Sequence, residues 1–369
     1  MINSKNKKNR NYYGFLRILC SILVALTFAF IVICLITDEP GEAINKLLTG
    51  PFQSKRSFFN VVERMIPLVF TGLAMNVIYK SGYFNMGADG SLYMGAVIAA
   101  YIAIKIPIAN GVNQGLIILA ASLTGGLICM LPVIIKKYTN ANVTVLSIMF
   151  NYIFYYIGVA IVSNTLLEKG SGWRSYEFPA TAKLGKLIEG TNMHWGFIIM
   201  IVVVIGIVIL MNKTSFGYKL KVTGINKNFA KASGINTVKV ILLAQFVGGM
   251  LAGMGGAIEM IGLNKRFTWQ NPVNYLWDGI LVNLLAGSKP QLVPIAAFGL
   301  SYLRVGADIM SRSTNIDTEI VAIIQGIIIL LVASERFLHG LKVRQEQKEA
   351  LKEAEEQLEV EAITQGGEV

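Results

Sequence analysis

The sequence predicts an all-α, polytopic membrane fold of about ten transmembrane helices, and three observations carry that prediction. The 369 residues are 54% hydrophobic and only 15% charged, with a mean hydropathy of +0.56, far too apolar for a water-soluble globule. The apolar residues gather in continuous runs of about 20, the length needed to cross a hydrocarbon core, rather than alternating in and out as barrel strands do. The lysines and arginines behind the net charge of +11 sit mostly in short connectors between those runs. That is the positive-inside pattern, and it removes any need for a nucleic-acid partner to explain the charge.

Residues 1–17 form a basic N-terminus, with Lys5, Lys7, Lys8, Arg10 and Arg17. The run 18–36 exceeds a signal-peptide core, and Thr37-Asp38-Glu39-Pro40 follows it instead of a small-x-small cleavage site, so a retained first span with a cytoplasmic N-terminus is expected. Further spans are expected at 60–79, 84–104, 115–135, 143–166, 195–212, 239–263, 273–287, 292–309 and 319–334. Counted from inside, they put Lys136–Lys137, the 213–238 loop, Lys289 and the C-terminal tail in the cytoplasm, and Leu167–His194 outside. The membrane domain is then 18–334, and the charged tail 335–369. Within that tail Leu341–Val369 carries eight glutamates against four basic residues and reads as a solvated end. The elements 84–104 and 273–287 look broken or re-entrant. They come second in two groups of four spans, 60–166 and 239–334, five spans apart, which is the arithmetic of an inverted repeat.

Chemistry at membrane depth concentrates in few places. Gly82–Ala96 brings Asn85 and Asp89 to a glycine-rich entry, either as caps of a helix starting near Ala88 or as the lining of a polar path. Thr144, Ser147 and Asn151 form a stripe on one face of the fifth span, beside Tyr152, Tyr155 and Tyr156. Such a stripe serves as interhelical glue or as a solute lining. Gln245, Gly248, Gly249, Ala252, Gly255, Gly256 and Glu259 line one side of the seventh span, a small-residue pattern for close packing, with Glu259 placed at the outer end where solvent reaches it. Asn274 and Asp278 share a face of the eighth element, while Asn283 stands about 140° from Asp278. Cys20, Cys34 and Cys129 lie in apolar runs without ligand spacing, and His194 and His339 stand apart, so no metal site is expected. No nucleophile–base or acid–base constellation emerges, and no Walker A loop. The chain reads as one that moves a solute rather than transforms it.

The polar island Asn212–Lys239 holds Lys213, Lys219, Lys221, Lys227, Lys231 and Lys239 and no acidic residue. Asn226 suits an N-cap, Lys227–Ser233 two short helical turns, and Gly234 the left-handed C-terminal cap. A capped helix on a cytoplasmic loop suits docking to a soluble partner, whereas an ordinary basic loop needs only the lysines.

Three motifs, in this order, resemble the permease subunits of bacterial ABC importers of the branched-chain-amino-acid and simple-sugar type, in particular the nucleoside-uptake branch. They are Gly82-Tyr-Phe-Asn85-Met-Gly87-Ala-Asp89-Gly90, similar to the family's G-x-F-N-I-G-x-E-G-Q; Met149-Phe-Asn151-Tyr152, similar to M-L-N-Y; and Gly217-Tyr through Gly224-Ile-Asn226 to Ala232-Ser-Gly234-Ile235, similar to a coupling loop. The likeness spans roughly residues 60–335. Asp89 replaces the usual glutamate, Ser91 the usual glutamine, and Asn283 a small apolar residue.

The resemblance implies a type II-like importer permease in the bacterial plasma membrane, with both termini cytoplasmic. It binds no cofactor itself, since ATP and Mg belong to separate ATPase subunits. A second homologous permease, in a heterodimer or a homodimer, and an extracytoplasmic binding lipoprotein that delivers a nucleoside complete the expected assembly. Asn85, Asp89, Ser147, Asn151, Asp278 and Asn283 are the residues expected along the solute path. Ile225 and Phe229, with Lys227 and Lys231 at the rim, are those expected to meet the ATPase. The alternatives are a ribose-type sugar permease, or an ion-coupled secondary transporter using Asp89, Asp278 or Glu259.

Overall fold

The computed structural model describes residues 39–106, 111–170, 172–313 and 326. The spans expected at 18–36 and 319–334, and the tail 335–369, lie outside them. Residues 45–309 make one compact unit, while 39–44 and 310–313 are grouped with a second. Among the described residues the helices are α1 (Pro40–Thr49), α2 (Lys55–Tyr79), α3 (Ala88–Lys105), α4 (Val112–Thr139), α5 (Val143–Thr165), α6 (Gly196–Lys213), α7 (Ser215–Ile225), α8 (Lys227–Ala232), α9 (Thr237–Gly262), α10 (Tyr275–Leu285) and α11 (Val293–Ser313).

Among the described residues six helical stretches are long and apolar enough to cross a membrane: α2, α4, α5, α6, α9, and Pro290–Ser313, which contains α11. The chain is therefore an all-α, multi-pass membrane protein. The two irregular elements become α3, which starts only at Ala88 after a non-helical approach, and α10, just 11 residues long. Two helices have no counterpart in the sequence reading. Pro40 opens α1, a favoured first-turn position for proline. A full helix, α7, precedes the short capped one in the polar island, and the Thr214 hydroxyl accepts from Gly217 N–H at 3.3 Å to start it.

The centre of the unit is α9, which packs against α4, α3 and α2. Its glycines permit this. A Cβ at Gly249 would sit 2.3 Å from the Gly125 carbonyl oxygen, at Gly253 2.4 Å from that of Ala121, and at Gly256 2.1 Å from that of Leu92. These helices therefore meet backbone to backbone, as the small-residue spacing predicts. Most of α2 is buried too, 94% of its apolar window, whereas α5 and α6 bury only 17% and 22%. The first is a core helix; the other two turn most of their apolar surface outward, as lipid-facing helices do.

The 167–194 connection lies on the segment after α9. Ser175 N–H donates to the Phe267 carbonyl, Phe178 N–H to Lys265 and Leu184 N–H to Ile261, at 3.0–3.2 Å, and the Arg266 guanidinium pairs with Glu168. At its end His194 is 1% exposed. Its Nδ1 accepts from Gly196 N–H at 3.1 Å, and burial holds its imidazole down to about 4.

Glu259 corrects the sequence expectation. It is buried rather than open to solvent, because α10 brings Tyr275 over it and the phenol donates to Oε1 at 3.2 Å. Glu63 on α2 is equally buried.

Candidate functional site

The approach to α3, residues 80–87, carries backbone groups that no helix satisfies, a state tolerated at membrane depth only when protein supplies partners. Much of that supply comes from the stripe on α5 and from α9. Thr144 Oγ1 donates to the Phe84 carbonyl at 2.9 Å, and Ser147 Oγ accepts from Met86 N–H at 2.9 Å. Asn151 accepts from Gly90 N–H at 2.9 Å and donates to the Met86 carbonyl at 2.8 Å. Asn85 donates to the Cys129 carbonyl at 2.7 Å and to Gln245 Oε1 at 2.8 Å, and accepts from Gly87 N–H at 2.8 Å. Gln245 in turn donates to Ser81 Oγ at 2.9 Å. The i, i+3, i+7 spacing on α5 thus reads the backbone of a broken element, and the amides inside the bilayer find partners instead of costing several kcal/mol each.

Where α3 begins, a cavity of about 150 Å³ opens between α3, α5 and the segment leading into α10. Its walls are aromatic, from Tyr93, Tyr152, Tyr155 and Trp277, and its polar groups are Asp89, Asn151 and Asn274. Tyr93 is fully enclosed, its ring 5.0 Å from that of Tyr155 and 6.0 Å from that of Phe267. The Tyr155 phenol donates to the Gln270 carbonyl, which ties α5 to the segment closing the cavity. Asp89 Oδ1 is buried with no hydrogen-bond partner among the described residues. At about half the smallest usual ligand pocket, roughly 300 Å³, the space suits one ring system held between aromatic faces.

Of the six residues expected along the path, the cavity brings together Asp89 and Asn151. Asn85 and Ser147 sit one layer behind and shape its wall. Asp278 makes a two-pronged ion pair with Arg304 at 2.5 and 2.7 Å. Asn283 accepts from Asn76 of α2 at 2.8 Å. Both serve helix contacts away from the cavity lining. Tyr93 and Trp277 escaped the sequence reading; Tyr93, four residues after Asp89 and so on the same helical face, was the available signal for one of them.

The polar island folds as a helix pair. Asn226 Oδ1 accepts from Phe229 N–H at 3.0 Å to cap α8, and Gly234 takes φ +76° to end it. Ile225 is 87% exposed and Phe229 61%. Ile225 ends α7 and Phe229 lies on α8, whose only buried residue is Ala230, so two large apolar side chains stand exposed among lysines at the junction of the two helices, the kind of exposed apolar pair that protein interfaces use.

Comparison with known proteins agrees with this architecture. Residues 57–333 match the family model described as branched-chain amino acid transport system, permease component. The chain is 26% identical over 329 residues to the guanosine ABC transporter permease protein NupP of Bacillus subtilis, covering 87% of this chain and 94% of that one. It is 26% identical over 327 residues to the nucleoside ABC transporter permease protein NupB of Lactococcus lactis, covering 84% and 89%. It is 23% identical over 339 residues to the glucose ABC transporter permease protein TsgB13 of Haloferax volcanii, covering 88% of each.

Proposed function

The chain belongs to the family of branched-chain amino acid transport system permease components, and within it we propose a permease that carries nucleosides. It is the non-catalytic, membrane-spanning subunit of an ATP-driven importer. That membership sets aside the ion-coupled secondary transporter.

The nucleoside reading rests on the cavity. A planar base stacks between Tyr152, Tyr155 and Trp277, and the unpartnered oxygen of Asp89 accepts from an N–H or O–H of the solute. The names of the Bacillus and Lactococcus relatives point the same way, and the Haloferax relative keeps a simple sugar as second reading. A sugar would use the same Asp89 but leaves the flat aromatic walls with less to hold.

The rest of the assembly is proposed with it: ATPase subunits on Ile225 and Phe229 with Lys227 and Lys231 at the rim, a second homologous permease, and a binding lipoprotein on the side of the 167–194 connection. The ten-span inverted repeat in a bacterial plasma membrane, with both termini cytoplasmic, belongs to the same proposal.

Uptake of labelled guanosine by cells carrying the whole importer tests the solute. Unlabelled nucleosides are expected to compete, while ribose and leucine leave uptake unchanged, and Asp89→Ala lowers uptake by on the order of tenfold, equal to about 1.4 kcal/mol. Competition by ribose or leucine but by no nucleoside would overturn the solute assignment.

A further inference from the structure

The capped helix and the cavity are joined by a short, tightly packed piece of chain. Past the end of α2, Gly82 turns with φ +78°, a left-handed backbone that favours glycine, and lies against Gly224 at the end of α7. A Cβ at Gly224 would stand 2.2 Å from the Lys80 carbonyl oxygen, so the two backbones touch with no side chain between them. The half-buried Lys80 amine beside this contact is brought down to about 8 by burial first and Lys221 second. One residue on, the Tyr83 ring is gripped from two sides. Lys136 of α4 lies 4.9 Å from its centroid, and Lys227 of α8 lies 5.5 Å from it while donating to the phenol oxygen at 3.2 Å. Three residues beyond Tyr83 is Met86, in the cavity wall, and three further is Asp89. Between them the chain is locked by Asn85, Ser147 and Asn151 through the hydrogen bonds described above.

We propose that Lys80–Met86 is the strut that carries movement of α7 and α8 into the cavity wall, with Tyr83 and Gly224 as its positioning residues. The inference rests on the reading of α8 as the ATPase contact. Any displacement of α8 pulls on Tyr83 through Lys227 and on Lys80–Gly82 through Gly224. The run from Gly82 to Met86 is only five residues long in the sequence and held by hydrogen bonds to α5 and α9, so it has little slack to absorb the displacement. Moving Met86 and the first turn of α3 relocates Asp89 relative to Trp277, which alters the grip on a bound solute. Lysine on an aromatic face contributes roughly 0.5–2 kcal/mol, enough to hold register without welding the parts.

The test uses the complete importer in proteoliposomes and reads three quantities: basal ATP hydrolysis, its stimulation by solute and binding protein, and solute taken up per ATP. Tyr83→Leu and Gly224→Val are expected to assemble with the ATPase and keep basal hydrolysis, while stimulation and uptake per ATP fall on the order of tenfold. Tyr83→Phe, which keeps the ring beside Lys136 but loses the hydrogen bond from Lys227, is expected to restore both only in part. A fall in basal hydrolysis matching the fall in stimulated hydrolysis would overturn the strut, because that is what a general folding defect produces. A second measurement does not depend on disruption. In a chain whose Cys20, Cys34 and Cys129 are alanine, Tyr83→Cys with Lys227→Cys is bridged by a short bifunctional thiol reagent. Parts that move together tolerate the bridge, so uptake is expected to return to well above the unbridged value. Bridging that stops uptake would overturn the proposal. The same ratios are read with whichever solute the wild-type importer accepts, so a wrong solute assignment shows itself separately in the competition experiment.

Discussion

The polar island at 212–239 and the cavity at the start of α3 are built on opposite principles. The island assembles from neighbours in sequence: Thr214 caps α7, Asn226 caps α8, Asn236 Oδ1 accepts from Lys239 N–H at 3.1 Å to cap α9, and Gly234 closes α8. Two of its large apolar residues, Ile225 and Phe229, stand exposed to solvent. The cavity gathers residues from α3, α5 and the approach to α10, separated by as many as 191 positions from Met86 to Trp277, and its aromatic groups line a shared space, with Tyr93 enclosed and Tyr152 and Trp277 largely exposed. One surface awaits another polypeptide; the other encloses something small. A mutation in the first should therefore change communication and leave folding intact, whereas a mutation behind the second should change folding and function together.

The largest expected effect lies in the packing beneath the cavity. Gly253→Leu must drive a side chain into the Ala121 carbonyl, 2.4 Å from where its Cβ would be. The helices cannot separate without loss of the core, and overpacking of this kind costs about 3 kcal/mol or more. Size-exclusion chromatography in detergent is expected to show little folded protein. Phe229→Asp comes next and sharpens the contrast. It removes one of the two exposed apolar residues at the α7–α8 junction and is expected to lower ATP-driven uptake on the order of tenfold, with membrane insertion and thermal stability of the isolated chain unchanged. Loss of insertion in this variant would break the distinction between the two regions.

Asn151→Leu sits on the boundary between them. It strands Gly90 N–H, a buried group worth about 1–3 kcal/mol when unsatisfied, and leaves the Met86 carbonyl only the 3.4 Å bond from Asp89 N–H, so a lower melting temperature should accompany reduced uptake. Uptake lost at full stability would move Asn151 from wall support to direct solute contact. The effect that is absent at neutral pH belongs to neither region and so serves as a control. Because the folded His194 titrates near 4 rather than 6.5, its neutral form is favoured by folding. Its contribution is complete above pH 6.5 and is lost as pH falls from 6.5 toward 4, by up to about 3 kcal/mol at 1.36 kcal/mol per unit. Melting curves between pH 7 and 4 should show that slope, and His194→Asn should flatten it without altering solute preference at pH 7.

The same contrast explains what the sequence made legible. Span positions, the glycine seam of α9, the caps of α8 and the broken entry at Gly82–Gly87 are local or periodic features, and periodicity survives in a linear reading. The α5 stripe was visible as a stripe, but glue and lining look alike until its partners are known; the partners are backbone groups 60–65 residues away. Asp278 and Asn283 carry the polar character of path residues, yet Arg304 and Asn76 claim them through helix contacts invisible in one dimension. Glu259 was misjudged for the same reason, since the Tyr275 that covers it belongs to a different element. Trp277 is apolar enough to pass for membrane anchoring and enters the cavity wall only because Asn274 turns the chain with φ +57° just before α10.

The seam of α9 carries a mechanical consequence. Helices separated by a layer of side chains can slide by exchanging one set of rotamers for another, a low-barrier shear. Bare backbones in van der Waals contact have no such intermediate positions available. The α4–α9 pair therefore works as a keel, and opening and closing must be borne by the elements around it, among them α5, α6 and the entry to α3.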